Sequence, residues 1–471
     1  MTAASTDTAA RPGRSRELVM LLLAGAVTLL ALISTELGQG NTATVEMLWI
    51  VGGFVLVFGV AHLVLRFLAP WSDQVLLPVV AALNGLGLVM IHRLDMANAT
   101  TLVRSQVMWT VLGVGMFVAV MVLLRDHRSL SRYSYILGLL GLILLALPLV
   151  WPSSINSDAR IWISIGPFSV QPGEFAKVLL LIFFAQLLVN KRSLFNVAGK
   201  RVLGIDFPRL RDLGPILVVW GIALVIMALQ NDFGPALLLF GTVLGMLYIA
   251  TARGSWLIIG LVLVAVGGFG VYQVSAKIQD RVNHFVDPIA HYDSGGYQLS
   301  QALFGMSWGG VTGTGLGSGY PQNVPVAHSD FILASFGEEL GFVGLAAIIL
   351  LFAILIARGM NAAMQVRDSF GKLLASGLAL TIGIQVFVVV AGISKMMPLT
   401  GLTTPFMSAG GSSLMANYIL IGLLLRISHS ARRPVEVAAG APAPLADAAP
   451  LAAGTNLFAA QDAPDVQGGE R

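Results

Sequence analysis

Residues 255–275 read SWLIIGLVLVAVGGFGVYQVS, twenty-one residues without one charged side chain. A run of that length and composition is what a helix rising 1.5 Å per residue needs to cross roughly 30 Å of hydrocarbon. Comparable runs recur from residue 18 to residue 425. Bounded by charges or by Gly and Pro, they give twelve candidate helices near 18–34, 47–67, 75–92, 107–124, 134–150, 174–190, 213–229, 234–251, 255–275, 331–357, 372–394 and 412–428. Composition agrees: 56% of the 471 residues are hydrophobic and 11% charged, where soluble globular proteins carry about 25% charge. This excludes an ordinary soluble enzyme. The fold class is an all-α polytopic membrane protein of about twelve transmembrane helices. The first run is too long and lies too far into the chain for a cleavable signal peptide, so it counts as a helix. The absence of cysteine removes disulfides, thiolate metal sites and thiol nucleophiles. The net charge of +4 is small, and the basic residues read as membrane anchors, with no nucleic-acid partner.

The basic residues also set an orientation. With a cytoplasmic N-terminus, 21 of the 28 Lys and Arg fall on the cytoplasmic side, which leaves Arg93, Arg104, Arg160, Lys177, Lys277, Arg281 and Lys395 outside. Both termini are then cytoplasmic in a multi-pass plasma-membrane protein. The longest outer connection, 276–330, exceeds the length at which ordered loops usually carry function. Residues 431–471, rich in Ala, Pro, Gly and Asp, read as a disordered cytoplasmic tail. Residues 1–16 form a short cytoplasmic segment.

Ionisable groups at membrane depth are costly unless paired or lining a wet cavity, so the outer charges are the candidate site. In QPGEFAK, 171–177, Glu174 and Lys177 stand three apart in the first turn of a helix and share a face. Lys177 and Arg160 are suited to a lipid-linked phosphate. The alternative is an interfacial anchor of Trp162 and Arg160 beside a local Glu–Lys pair. Asp232, in the turn before Gly234-Pro235, either caps the next helix or faces a pocket. The long loop carries Asp287 and Asp293 near its start, a Gly-rich middle, and then Asp330, Glu338 and Glu339. The glycines fit neither GxGxxG nor a P-loop, which argues against a nucleotide site. Apolar residues flank Glu338 and Glu339, which marks them as buried pairs or cavity-lining acids. His284, His291 and His328 match no zinc spacing. Between 395 and 414, prolines and glycines break the helix at membrane depth, which is tolerated where backbone is buried or lines a cavity. Lys395 there either packs or makes a second phosphate contact.

Four segments, QPGEFAK, GGYQLSQALFGMSWGGVTGTGLGSG (295–319), HSDFILASFGEELGFVG (328–344) and PLTGLTTPFMSAGGSSL (398–414), occur in the order found in the SEDS family (shape, elongation, division and sporulation). The chain resembles its RodA/FtsW/SpoVE members, and the RodA-like branch most. The resemblance implies a ten-helix core over 71–430, two additional helices over 17–70, and a catalytic extracellular loop at 276–330. It implies a peptidoglycan glycosyltransferase that polymerises lipid II with a class B penicillin-binding protein, for cell shape, elongation or division. Where the family reads Gln-Pro-Asp, Asn231 replaces the proline and Asp232 remains. The family's loop aspartate lies six positions before the Tyr of Gly-Tyr-Gln, and that count from Tyr297 reaches His291. Asp293 is two residues on, and Asp287 matches an upstream acidic position. The expected base is therefore Asp287 or Asp293, with Arg160, Lys177 and Lys395 on the diphosphate. Glu174 orients Lys177, and Asp232, Asp330 and Glu338 bind substrate. An inverting transfer needs one base. No Asp-x-Asp pair marks a held metal, so no cofactor is obligatory and a divalent cation, Mg or Mn, would only assist. Two alternatives remain: a lipid-linked precursor flippase, which needs no base, and a non-catalytic scaffold that activates a penicillin-binding protein, which needs no loop acids.

Overall fold

A computed structural model describes residues 12–42, 45–152, 160–166, 168–195, 201–202, 205–206 and 210–434. Most of the predicted cytoplasmic tail and of the N-terminal segment lies outside them. The elements run α1 (Ser15–Gly38), α2 (Val45–Leu68), α3 (Leu76–Asn98), α4 (Leu102–Leu123), a single turn α5 (Ser129–Arg132) and α6 (Ser134–Val150). Then come the hairpin β1 (Ile163–Ile165) and β2 (Phe168–Val170), antiparallel with Ser164 opposite Ser169, α7 (Pro172–Phe195), and a two-residue pair β3 (Arg201–Val202) and β4 (Ile205–Asp206). The rest are α8 (Leu210–Leu229), α9 (Phe233–Thr251), α10 (Ser255–Val274), α11 (Ala276–Val286), α12 (Tyr297–Gly309), α13 (Ile332–Glu339), α14 (Gly341–Gln365), α15 (Ser369–Ile393) and α16 (Gly411–Arg432).

Eleven of the twelve expected spans are each a single helix, and the twelfth, 331–357, is two. Among the described residues ten are long and apolar enough to cross a membrane, while α6 and the 216–229 part of α8 are shorter. Two expectations need correction. The span expected at 331–357 is broken at Leu340–Gly341, where Gly341 takes φ +66, a conformation that favours glycine. And the long loop is largely helical: it holds α11, α12 and the single 3-10 turns Tyr292–Ser294 and Pro321–Asn323.

Polar content decides which helix sits in the middle. In lipid, apolar side chains gain nothing by facing inward, so polar and small residues mark the protein-facing surfaces. The apolar window of α3 is 94% buried and that of α10 is 6% buried. Accordingly α3 carries buried Asn84, His92, Arg93 and Asp95, whereas α10 has no charge at all. Close approach uses glycine: Gly138 lets α6 settle on the Phe183 ring of α7, and Gly113 lets α4 meet Tyr418 of α16.

Both described ends of the chain reach the same end of the bundle. Gln74 donates to the Gly13 carbonyl at 3.0 Å and the Trp71 N–H donates to His429 at 3.2 Å. Buried Asp73 sits there between Arg358 (2.5 Å) and Arg432 (2.7 Å). Burial alone would raise the Asp73 carboxyl, but hydrogen bonds from Arg358, the Val75 N–H and Arg432 hold it below its usual range. The segment 276–330 lies at the opposite end, here called the loop end.

Candidate functional site

Two adjoining cavities open at the loop end. The smaller is lined by Gln171, by Glu174 and Lys177 of α7, by Met227 of α8 with Gln230 and Asp232 after it, and by Thr242 and Thr381 of α9 and α15. Its volume of about 20 Å³ holds one or two waters. The larger, about 320 Å³, is walled by Lys277, Asp280, Arg281 and His284 of α11, Gln298 and Leu299 of α12, and Asp330 and Phe331. That is the size of a small-molecule site.

Pro172 at the first position of α7 starts the helix without an amide to satisfy, and the next turn presents Glu174 and Lys177 on one face. Both are buried, with Nζ 2.6 Å from Oε2, and Nζ also donates to Gln385 Oε1 at 3.3 Å. The pair therefore faces the cavity and is not a solvated anchor. Asp232 occupies the cap position of α9 but makes no capping hydrogen bond, so the pocket alternative holds. Burial, and then the Glu174 charge, push its carboxyl up to about 7, against the pull of Lys277 and Arg281.

Arg281 joins the two cavities. It donates to the Thr400 carbonyl at 3.3 Å and interacts with the carboxylates of both Asp232 and Asp330. Burial lowers its proton affinity and the two acids restore part of it. Asp330 accepts from Ser329 Oγ at 2.8 Å, and burial raises its carboxyl in spite of Ser329, Arg281 and His328. Gly401 lies beside the Arg281 and Asp330 side chains, and its φ of +76 is a backbone conformation that favours glycine.

The structure brings Glu174, Lys177, Asp232 and Asp330 together and leaves other expected residues outside. Arg160 is exposed, next to Ile161 on the small cavity's wall. Lys395 is exposed at φ +56 and lines neither cavity. Asp287 and Asp293 are exposed on the turn between α11 and α12. Glu338 is buried and its Oε1 accepts the Tyr320 N–H at 2.6 Å; it fastens the glycine stretch and does not face the cavity, because α13 turns it toward α12. Arg281, Lys277 and His284 were absent from the expected set. Their signal was the basic, amphipathic run 276–286, concealed by reading the segment as a loop. No cluster of three or more His, Cys, Asp or Glu suited to a metal occurs among the described residues.

Comparison with known proteins identifies the family. The family model of the FtsW, RodA and SpoVE cell cycle proteins matches residues 73–433. The peptidoglycan glycosyltransferase RodA of Mycobacterium tuberculosis is 49% identical over 430 residues, 90% of this chain and 92% of the relative; that of Mycobacterium leprae is 50% identical over 432 residues, with the same coverage. A chain from a peptidoglycan synthase complex that coordinates polymerisation and crosslinking superposes with TM-score 0.63 at 28% identity, over 77% of this chain and 99% of its own. The rod shape determining protein RodA of Thermus thermophilus superposes with TM-score 0.56 at 27% identity, over 78% and 99%. The chain belongs to the FtsW/RodA/SpoVE family, in its RodA-like branch.

Proposed function

We propose that this chain is a peptidoglycan glycosyltransferase that polymerises lipid II on the outer face of the plasma membrane, with a class B penicillin-binding protein as partner and both termini in the cytoplasm. The observation that carries the reading is the ligand-sized polar cavity at the loop end of a membrane-spanning bundle in a chain of this family. The excess of Lys and Arg at the opposite end supports the orientation. The acceptor hydroxyl oxygen bonds to the donor's anomeric carbon, the bond from that carbon to the diphosphate breaks, and a carboxylate takes the hydroxyl proton. Asp287 or Asp293 is that base. Lys177 and Arg281 hold the departing diphosphate from the cavity wall, Arg160 and Lys395 lie at the same end outside the cavities, and Asp232 and Asp330 set the local charge. No resident metal is part of this scheme. A Mg or Mn ion carried by the diphosphate would assist, and chelation measures its share.

The test is polymerisation of lipid II by the purified protein, with and without a partner disabled in its own crosslinking. Glycan strands from wild type are expected; none, with a related enzyme active in the same assay, turns the reading toward a flippase or scaffold. A pH dependence follows from Asp232. Its ionised form predominates above about 7 and adds a negative charge beside the diphosphate, so KM should rise on the order of tenfold between pH 6 and pH 8. Stability falls over a lower window: between the usual carboxylate range and about 7 the folded protein holds a proton that the unfolded chain releases, so raising the pH through that window weakens the fold, and above it there is little further change. Asp232→Asn should flatten the KM profile, and an unchanged profile rejects the assignment.

A further inference from the structure

The glycine-rich stretch 310–320, which follows α12, is held from two sides. On one side it wraps the α13–α14 junction. The Thr314 and Gly315 N–H groups donate to the Glu338 and Glu339 carbonyls at 3.0 and 2.9 Å, and Phe342 and Val343 donate back to Gly310 and Val311 at 2.9 and 3.1 Å. The Glu339 carboxylate accepts from the Gly317 N–H at 3.1 Å. On the other side stands α1, which lies before the family match. Gln39, just past its last turn, donates to the Gly317 carbonyl. A side chain at Gly38 would run into the backbone of Leu316 and Gly317, and one at Gly317, φ +82, into the backbone of Thr35. Glu36 of the same turn meets His92 at 2.9 Å, and the adjacent Arg93 donates to the Gly319 carbonyl at 2.7 Å.

No residue of α1 lines either cavity, yet the stretch it grips is continuous with the walls of the larger one. The first turn of α12 supplies Gln298 and Leu299, and Asp330 and Phe331 precede α13. At the other end of α12, Gly309 packs on the backbone of Gly337 and Glu338, which ties α12 to α13 across the stretch between them.

We propose that the loop end of α1 is a positioning element for the transfer site: Gly38 and Gln39 fix the glycine stretch and, through it, the α12–α13 walls of the larger cavity, and so set turnover without touching substrate. The effect on turnover rests on the transferase reading; the effect on the stretch does not. The alternative is that α1 is only an anchor.

The experiment compares full-length wild type with Gly38→Val, Gln39→Ala and, as control, Leu30→Ala, an exposed residue of the same helix. Amide hydrogen exchange over 312–320 is read beside kcat and KM for lipid II. In Gly38→Val, exchange should quicken about tenfold and kcat fall about fivefold with KM held within about twofold, as expected when a local clasp of one or two hydrogen bonds is lost. Gln39→Ala, which removes a single hydrogen bond and so preserves the fold, should move both readouts less and in the same direction, and Leu30→Ala neither. Wild-type exchange in both variants overturns the proposal, as does faster exchange with unchanged kcat, the mark of a mere anchor. An inactive wild type overturns the transferase reading and leaves exchange alone to decide whether α1 holds the stretch.

Discussion

Asp293→Asn is expected to lower kcat for lipid II polymerisation by about two to four orders of magnitude, the usual worth of a positioned general base, with KM and folding unchanged. The two loop acids differ in what already engages them. Asp287 Oδ1 accepts the Ala290 N–H at 3.0 Å, and its carbonyl accepts from His291 Nδ1 at 2.8 Å, so Asp287 builds the turn. Asp293, in the 3-10 turn that follows, is exposed, and no hydrogen bond to its carboxylate occurs among the described residues. A base must have a free lone pair for the acceptor hydroxyl, and an amide in its place cannot take the proton. Asp287→Asn keeps an oxygen for Ala290 and should cost far less. Should the order of the two variants be reversed, the base moves to the end of α11; should both stay active, the transfer draws its base from elsewhere.

Glu339→Ala is expected to destabilise the fold by about 3–5 kcal/mol, because it strands a buried charge. Arg93 is 2% exposed and is among the largest fully buried side chains of the described residues. Its Nε lies 3.0 Å from Glu339 Oε1, and one terminal nitrogen donates to the Gly319 carbonyl. Thermal unfolding in detergent reads the loss. Glu339→Gln keeps hydrogen-bonding atoms and should fall between wild type and alanine. The double variant Arg93→Met with Glu339→Leu removes both charges together and should recover most of the stability. If it is no more stable than Glu339→Ala, the stranded charge is not the cause.

The helices were legible because hydropathy over twenty residues is a strong signal and the bilayer admits few alternatives. The break at Gly341 was not: the apolar run passes through it, and only the backbone shows the left-handed turn that the glycine stretch packs against. Helix α11 was missed for the opposite reason, since its polar sequence is too short and too charged to resemble a span. Within the site, the Glu174–Lys177 pair followed from helical spacing alone. Its convergence with Asp232 did not, because a residue before Gly-Pro looks like a cap in any sequence, and only the missing capping bond tells the roles apart. Glu338 was recognised as buried but not as a fastener, since its partner is a backbone N–H that no side-chain pattern announces. Arg160 and Lys395 carry the sign of charge a phosphate needs, but charge says nothing of which way a side chain leaves the bundle.

Two of the buried ion pairs differ in when they can form. Glu174 and Lys177 are neighbours on one helical turn, so α7 carries its own counter-ion as it leaves the ribosome and enters the bilayer almost neutral. Arg93 must wait for a partner 246 residues later, a delay on the order of ten to fifty seconds at ordinary synthesis rates. During that time α3 carries an unpaired cation whose long side chain reaches for the membrane surface. The charge of the most buried span is thus balanced only once Glu339 has been made, and a chain cut short before Glu339 has no charge partner for it.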